Sequence, residues 1–221
     1  MAADVHPPGW VALRRLAQPA LRLCCFPYAG GGPAAFARWV RHLPPSWDLL
    51  VLQLPGRGAR LGEQALHDFD AAREQACTHL QPWLDRPCLF FGHSLGAILA
   101  YEVARRCGDR LQGLVVSACV APRHWPTERG RALARLDRDG LVAALREYNG
   151  MPAQVLDDDE VLDLLLPAMQ ADFDLVASYR YRGPAGLEVP MHVLHGADDP
   201  HVDPGRLQGW ALETRGPCGI E

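Results

Sequence analysis

Short apolar runs alternate with amphipathic stretches along this chain, and that order constrains the fold more than any other feature. Leu21–Phe26, Asp48–Leu54, Cys88–Phe91 and Leu114–Ser117 read as strands, and Val189–Leu194 as a fifth. Helical spacing falls between them, over Pro33–Leu43, Phe69–Leu84 and Leu95–Cys107. Pro33 suits a first helical position, where its missing N–H costs nothing. Strands that are apolar on both faces, each followed by a helix, make a parallel sheet covered on both sides. The fold class is therefore α/β.

The stretch from Arg123 to Arg182 breaks the pattern: it is helical, charge-rich and without a strand candidate. It lies between the fourth and fifth strands. Residues inserted there sit over the carboxyl ends of the strands, where ligands bind in such sheets. We read 1–221 as a single domain with 123–182 as an inserted helical lid. Asp157, followed by Glu160 and an apolar run, resembles a capping box with Asp157 as the cap. The acidic run 157–160 reads as a helix N-terminus with favourable charge rather than a metal site.

Composition removes several classes of function. A net charge of −4 leaves no basic footprint for nucleic acid. The longest apolar runs, such as Leu162–Met169, fall well short of the roughly 20 residues of a membrane span. Residues 1–8 carry no Lys or Arg and no apolar segment, so no signal peptide is expected. Seven cysteines without a C-x-x-C pair suggest reduced thiols in a cytoplasmic protein.

Chemistry concentrates at Gly92-His93-Ser94-Leu95-Gly96, which fits G-x-S-x-G. A buried strand runs in and a helix runs out, the context of a nucleophile elbow, and Ser94 is the candidate nucleophile. An acyl-transfer serine needs an oxyanion hole. The N–H of Leu95 is one donor, and the other comes from the loop Pro27-Tyr28-Ala29-Gly30-Gly31-Gly32. No Gly-Lys-Ser/Thr follows that loop, so it is not a phosphate loop. The acid belongs after the fifth strand, in His195-Gly196-Ala197-Asp198-Asp199; Asp199 is the choice and Asp198 the reserve.

The base is harder to place. After Asp199 the sole histidine is His201, two residues on in the same turn, which is poorly placed to reach Ser94. The elbow turns the His93 side chain away from Ser94. His195 precedes the acid, and His42, His67, His79 and His124 read as surface residues.

These segments resemble the type II thioesterases, free-standing α/β-hydrolases of nonribosomal peptide and polyketide synthesis. The likeness spans Trp10 to Glu221. It rests on Cys25-Phe26-Pro27-Tyr28-Ala29-Gly30-Gly31, on Gln53-Leu54-Pro55-Gly56-Arg57-Gly58-Ala59-Arg60, on Gly92–Ala97 and on Gly196-Ala197-Asp198-Asp199. It implies an α/β-hydrolase fold and a helical lid. The implied activity is hydrolysis of acyl thioesters from the phosphopantetheine arm of an acyl or peptidyl carrier protein. Ser94 is then the nucleophile, Asp199 the acid, and Leu95 with Ala29 the oxyanion donors, Tyr28 being the other candidate for the latter. Tyr28 would line the substrate channel. No cofactor or metal is needed, and a cytoplasmic monomer is expected. Arg38, Arg41, Arg57 and Arg60 are candidates for a carrier-docking patch.

The family also carries a further strand, a Gly-Gly-His-Phe type segment holding the base, and a closing helix. Those elements amount to about 25–35 residues that 1–221 do not include. The expectation is a chain truncated before the C-terminal strand, the catalytic histidine and the helix. As a fragment it belongs to a complete enzyme. As a full product it keeps only residual catalysis, or serves as a non-catalytic carrier-binding remnant. A general carboxylester hydrolase is the remaining alternative.

Overall fold

The computed structural model describes residues 8–107, 110–147 and 153–221. Seven strands form one sheet: β1 (Trp10–Arg14), β2 (Leu21–Phe26), β3 (Trp47–Leu52), β4 (Cys88–His93), β5 (Leu111–Ser117), β6 (Met191–Leu194) and β7 (Cys218–Ile220). Their order is β1-β3-β2-β4-β5-β6-β7. β1 is antiparallel to β3, and every other pairing is parallel.

Alternation within β2 explains why both faces must be covered. Cys24 and Phe26 point into the larger core, and Leu23 and Cys25 into a smaller one with Phe36, Leu49 and Val51. The larger core lies under α1 (Phe69–Leu80) and α2 (Leu95–Cys107). Every residue of α2 from Leu95 to Ala104 is buried, as expected of a helix apolar nearly all round. Glu102 is its one buried carboxylate, and it accepts from the Tyr179 hydroxyl at 2.9 Å.

Several expectations shift. The segment expected as a helix over Pro33–Leu43 is a 3-10 stretch, Pro33–Arg41, closed by i to i+3 bonds such as His42 N–H to Trp39 O. β1 has no counterpart in the sequence reading. Its alternation is weak, and tertiary contacts fix it: Trp10 is buried and donates Nε1–H to Ala76 O. The fifth strand starts at Met191, not Val189, because Pro190 has no N–H for the ladder. The C-terminal strand expected to be missing has a counterpart in β7, whose three residues pair with β6.

Between β5 and β6 lie α3 (Glu128–Leu133), α4 (Arg138–Glu147), α5 (Ala153–Leu156) and α6 (Asp159–Ser178). The cap of α6 is Asp158, whose side chain accepts from Val161 N–H, and not Asp157. Asp157 pairs with Arg146 at 2.7 Å instead. No helix among the described residues is long and apolar enough to cross a membrane.

The parallel strands end at one edge. Phe26 is level with Gly92, His93 with Ser117, and Ser117 with Leu194. The loops after β2, β4, β5 and β6 therefore meet there.

Candidate active site

Ser94 occupies the turn between β4 and α2 with φ of 54°, in the left-handed region that L side chains seldom enter. Its N–H donates to Ser117 O at 2.9 Å, which pins the turn to β5. The flanking glycines are required by space. A Cβ on Gly96 would overlap the Phe26 carbonyl oxygen, and one on Gly92 the Gly96 carbonyl oxygen. Leu95 opens α2, so its N–H is among those that a helix leaves without an internal partner.

The loop after β2 supplies further N–H groups. Gly31 N–H donates to Tyr28 O at 2.8 Å, and Gly30 N–H to Asp172 Oδ2 at 2.7 Å. Those two are occupied, so neither is free for a ligand, and the remaining candidates named from the sequence are the N–H groups of Tyr28 and Ala29. Ala29 lines the same narrow cavity as Ser94 and Leu95, whereas Tyr28 does not. The Tyr28 ring lines the larger cavity and stands edge-on to His93 at 5.7 Å between centroids.

That larger cavity is about 610 Å³. Ser94, His93, Asp199 and His201 line it at the sheet edge, and Leu145, Val155, Leu165, Met169 and Phe173 line it from the helical segment. Its lining is mostly apolar, with the polar groups gathered at the sheet edge. His93 and His201 both line this cavity together with Ser94 and Asp199. Asp199 is half-buried and its Oδ1 accepts from His201 N–H at 2.8 Å, which curls the turn inward. Asp198 is exposed and does not line the cavity.

His93 is held by Ser117 Oγ, 3.1 Å from its Nδ1. Burial pushes its pKa below the ordinary histidine value, with nearby Asp199 pulling the other way. His42, His67 and His124 are exposed, and His79 is half-buried. Cys119, on the wall of the narrow cavity, has its thiol pushed up by burial and stays protonated. Among the described residues no group of three or more His, Cys, Asp or Glu could hold a metal ion.

One feature escaped the sequence reading. Asp172 on α6 is 1% exposed, and both its oxygens meet Arg57 at 2.6 Å in a bidentate pair. The pair ties α6 to the loop after β3, and through Gly30 to the loop after β2. A carboxylate inside the apolar run of α6 was the available signal, since a buried charge must be paired. The pair also withdraws Arg57 from the candidate docking patch. Arg60 is withdrawn too: it is buried, donates to Gln53 O at 2.8 Å and pairs with Glu63.

The family model described as "Thioesterase domain" matches residues 21–221. The chain belongs to the thioesterase family. It is similar to thioesterase PikA5 of Streptomyces venezuelae, with 37% identity over 90% of this chain and 71% of that protein. It is similar to gramicidin S biosynthesis protein GrsT of Aneurinibacillus migulanus, with 34% identity over 88% of this chain and 77% of that one. The solved structure of the type II thioesterase BorB from the borrelidin biosynthetic cluster superposes with a TM-score of 0.87. That match has 36% identity and covers 96% of this chain and 87% of BorB. The fold of this thioesterase is thus the α/β-hydrolase fold, with its segment of helices α3–α6 inserted after β5.

Proposed function

We propose that this thioesterase hydrolyses acyl groups from the phosphopantetheine arm of carrier proteins, as an editing enzyme of nonribosomal peptide or polyketide synthesis. The carrying observation is Ser94 at a positive φ between an unpartnered helix N-terminus and an apolar chamber. The likeness to PikA5 and GrsT supports the biosynthetic setting. Helices α3–α6 act as a lid, and their apolar side chains receive the acyl group.

Ser94 Oγ attacks the thioester carbonyl, and the N–H groups of Leu95 and Ala29 hold the oxyanion. The tetrahedral intermediate collapses, the C–S bond breaks, and the pantetheine sulfur leaves with a proton. Water then cleaves the acyl-serine ester. An imidazole takes the Ser94 proton and Asp199 orients it, the division of labour of a Ser-His-Asp triad. The family resemblance puts that imidazole on a Gly-Gly-His-Phe type segment.

The test uses a chain that carries this histidine segment, with an acyl-loaded carrier protein, a matched oxygen ester and a fluorophosphonate. Labelling at Ser94, thioester turnover above ester turnover and loss of both in Ser94→Ala are expected. Carrier binding without labelling or product would overturn the hydrolase in favour of a carrier-binding protein. Higher kcat/KM on the oxygen ester would point to a carboxylester hydrolase.

A further inference from the structure

Ser94 stands where two cavities meet. Besides the acyl chamber, a narrow cavity of about 100 Å³ runs from Ser94, Leu95 and Ala29 between α3 and α6 to Trp125. Trp125 also lines a third hollow, an open groove of about 530 Å³ between α3 and the C-terminal end of α6. Arg131, Arg135 and Arg180 line that groove with the rings of Trp125, Tyr179 and Tyr181, and no carboxylate does. At the groove's edge the Tyr181 hydroxyl donates to the buried Glu213 at 2.7 Å, and Arg123 lies beside the same hydroxyl.

This grouping departs from the rest of the lid. Arg138 pairs with Asp159 and Asp163, Arg146 with Asp157, and Arg182 with Asp70. Arg131 and Arg135 have no acidic partner among the described residues, and Arg180 bonds the carbonyls of Ala177 and Tyr179. In a chain of net charge −4, such a cluster makes a local positive field over a concave surface. A planar guanidinium fork matches a phosphate, which accepts from it in pairs.

We propose that this groove binds the phosphate of the phosphopantetheine arm. The arm then runs past Trp125 through the narrow cavity, and its thioester meets Ser94 with the acyl group in the large chamber. The inference rests on the proposed function for its ligand, and it does not use Arg57 or Arg60 of the expected carrier-docking patch, which are held inside the fold. Arg38 and Arg41, exposed on the stretch Pro33–Arg41, are the competing patch.

The experiment titrates the full chain with fluorescent 4′-phosphopantetheine and with the same probe lacking the phosphate. We expect the phosphorylated probe to bind about tenfold tighter. The double variant R131A/R135A should erase the difference, and R131E/R135E should reverse it. R38A/R41A should leave it intact. Thermal melts confirm that each variant is folded. Equal affinity for the two probes in the unaltered chain overturns the proposal. So does a preference that survives R131A/R135A, or one that R38A/R41A removes.

Hydrolysis of an acyl-N-acetylcysteamine, which has no phosphate, is scored separately. Phosphate preference without hydrolysis supports the groove and strikes the hydrolase reading alone. Hydrolysis without phosphate preference strikes the groove alone.

Discussion

The strain at Ser94 is tolerable because its neighbours leave the turn no alternative. Gly96 packs its Cα against the Phe26 carbonyl, so Gly96→Ala drives the start of α2 off the end of β2. Overpacking at such a contact costs about 1–3 kcal/mol and more where backbone must move. We expect a lower urea midpoint with unchanged slope. Asp172 is the second decisive residue. Asp172→Ala leaves the Arg57 guanidinium buried without its carboxylate and the Gly30 N–H without its acceptor. Breaking such a pair costs about 3–5 kcal/mol, again read from the urea midpoint. Removing both charges together, as Arg57→Met with Asp172→Leu, should recover a large part of that loss. If the double variant is no more stable than Asp172→Ala, the charge left behind is not what destabilises the single one. The two cases also differ in how openly the sequence declared them. Gly92 and Gly96 announce their roles through local spacing, while Asp172 shows locally only as a carboxylate in an apolar run, and its partners Arg57 and Gly30 lie more than a hundred residues away.

At the scale of elements, apolar periodicity located β2 to β6 and α2 because their burial is extensive. It failed where a neighbour decides the outcome. β1 exists through Trp10 and its register on β3, and Pro33–Arg41 stays a 3-10 turn under Leu23, Cys25 and Leu49. The cap of α6 moved one residue because Arg146 engages Asp157. The same helix sets the size of the acyl chamber. Leu165 is half-buried on the chamber wall, and Met169 packs so closely that a Cβ on Gly30 would come within 2.9 Å of it. Filling that wall with Leu165→Trp should shorten the preferred acyl chain. We expect kcat/KM on long-chain acyl carriers to fall at least about tenfold, the discrimination one methylene or a few can supply, with acetyl carriers nearly unaffected. An equal loss on both chain lengths would mean that the acyl group does not lie against α6.

For the whole molecule, the sheet order explains why the site forms where it does. β2, β4, β5 and β6 run in one direction and end level, so the oxyanion loop, Ser94, Ala118 and Asp199 arrive at one edge from distant parts of the chain. Their order along the sequence could be read; the inward curl that carries His201 into the cavity could not, because it depends on one backbone bond to Asp199. Two imidazoles then link this architecture to pH. Burial lowers the pKa of His93, opposed by Asp199, and burial with the Arg60 charge lowers that of His79. His79 Nδ1 is buried and has no hydrogen-bond partner among the described residues. The unfolded chain has ordinary histidines near pKa 6.5, so below that value it binds more protons than the folded chain does. Stability is therefore complete above about pH 6.5 and declines as the pH falls toward the depressed folded values. We expect Tm to drop on going from about pH 7.5 to about pH 5.5, the window in which ordinary histidines take up protons. The double variant His79→Gln with His93→Gln should flatten that drop, since neither position then has a proton to accept. A double variant with the same slope as the unaltered chain would assign the acid sensitivity to other groups and leave both imidazoles neutral bystanders.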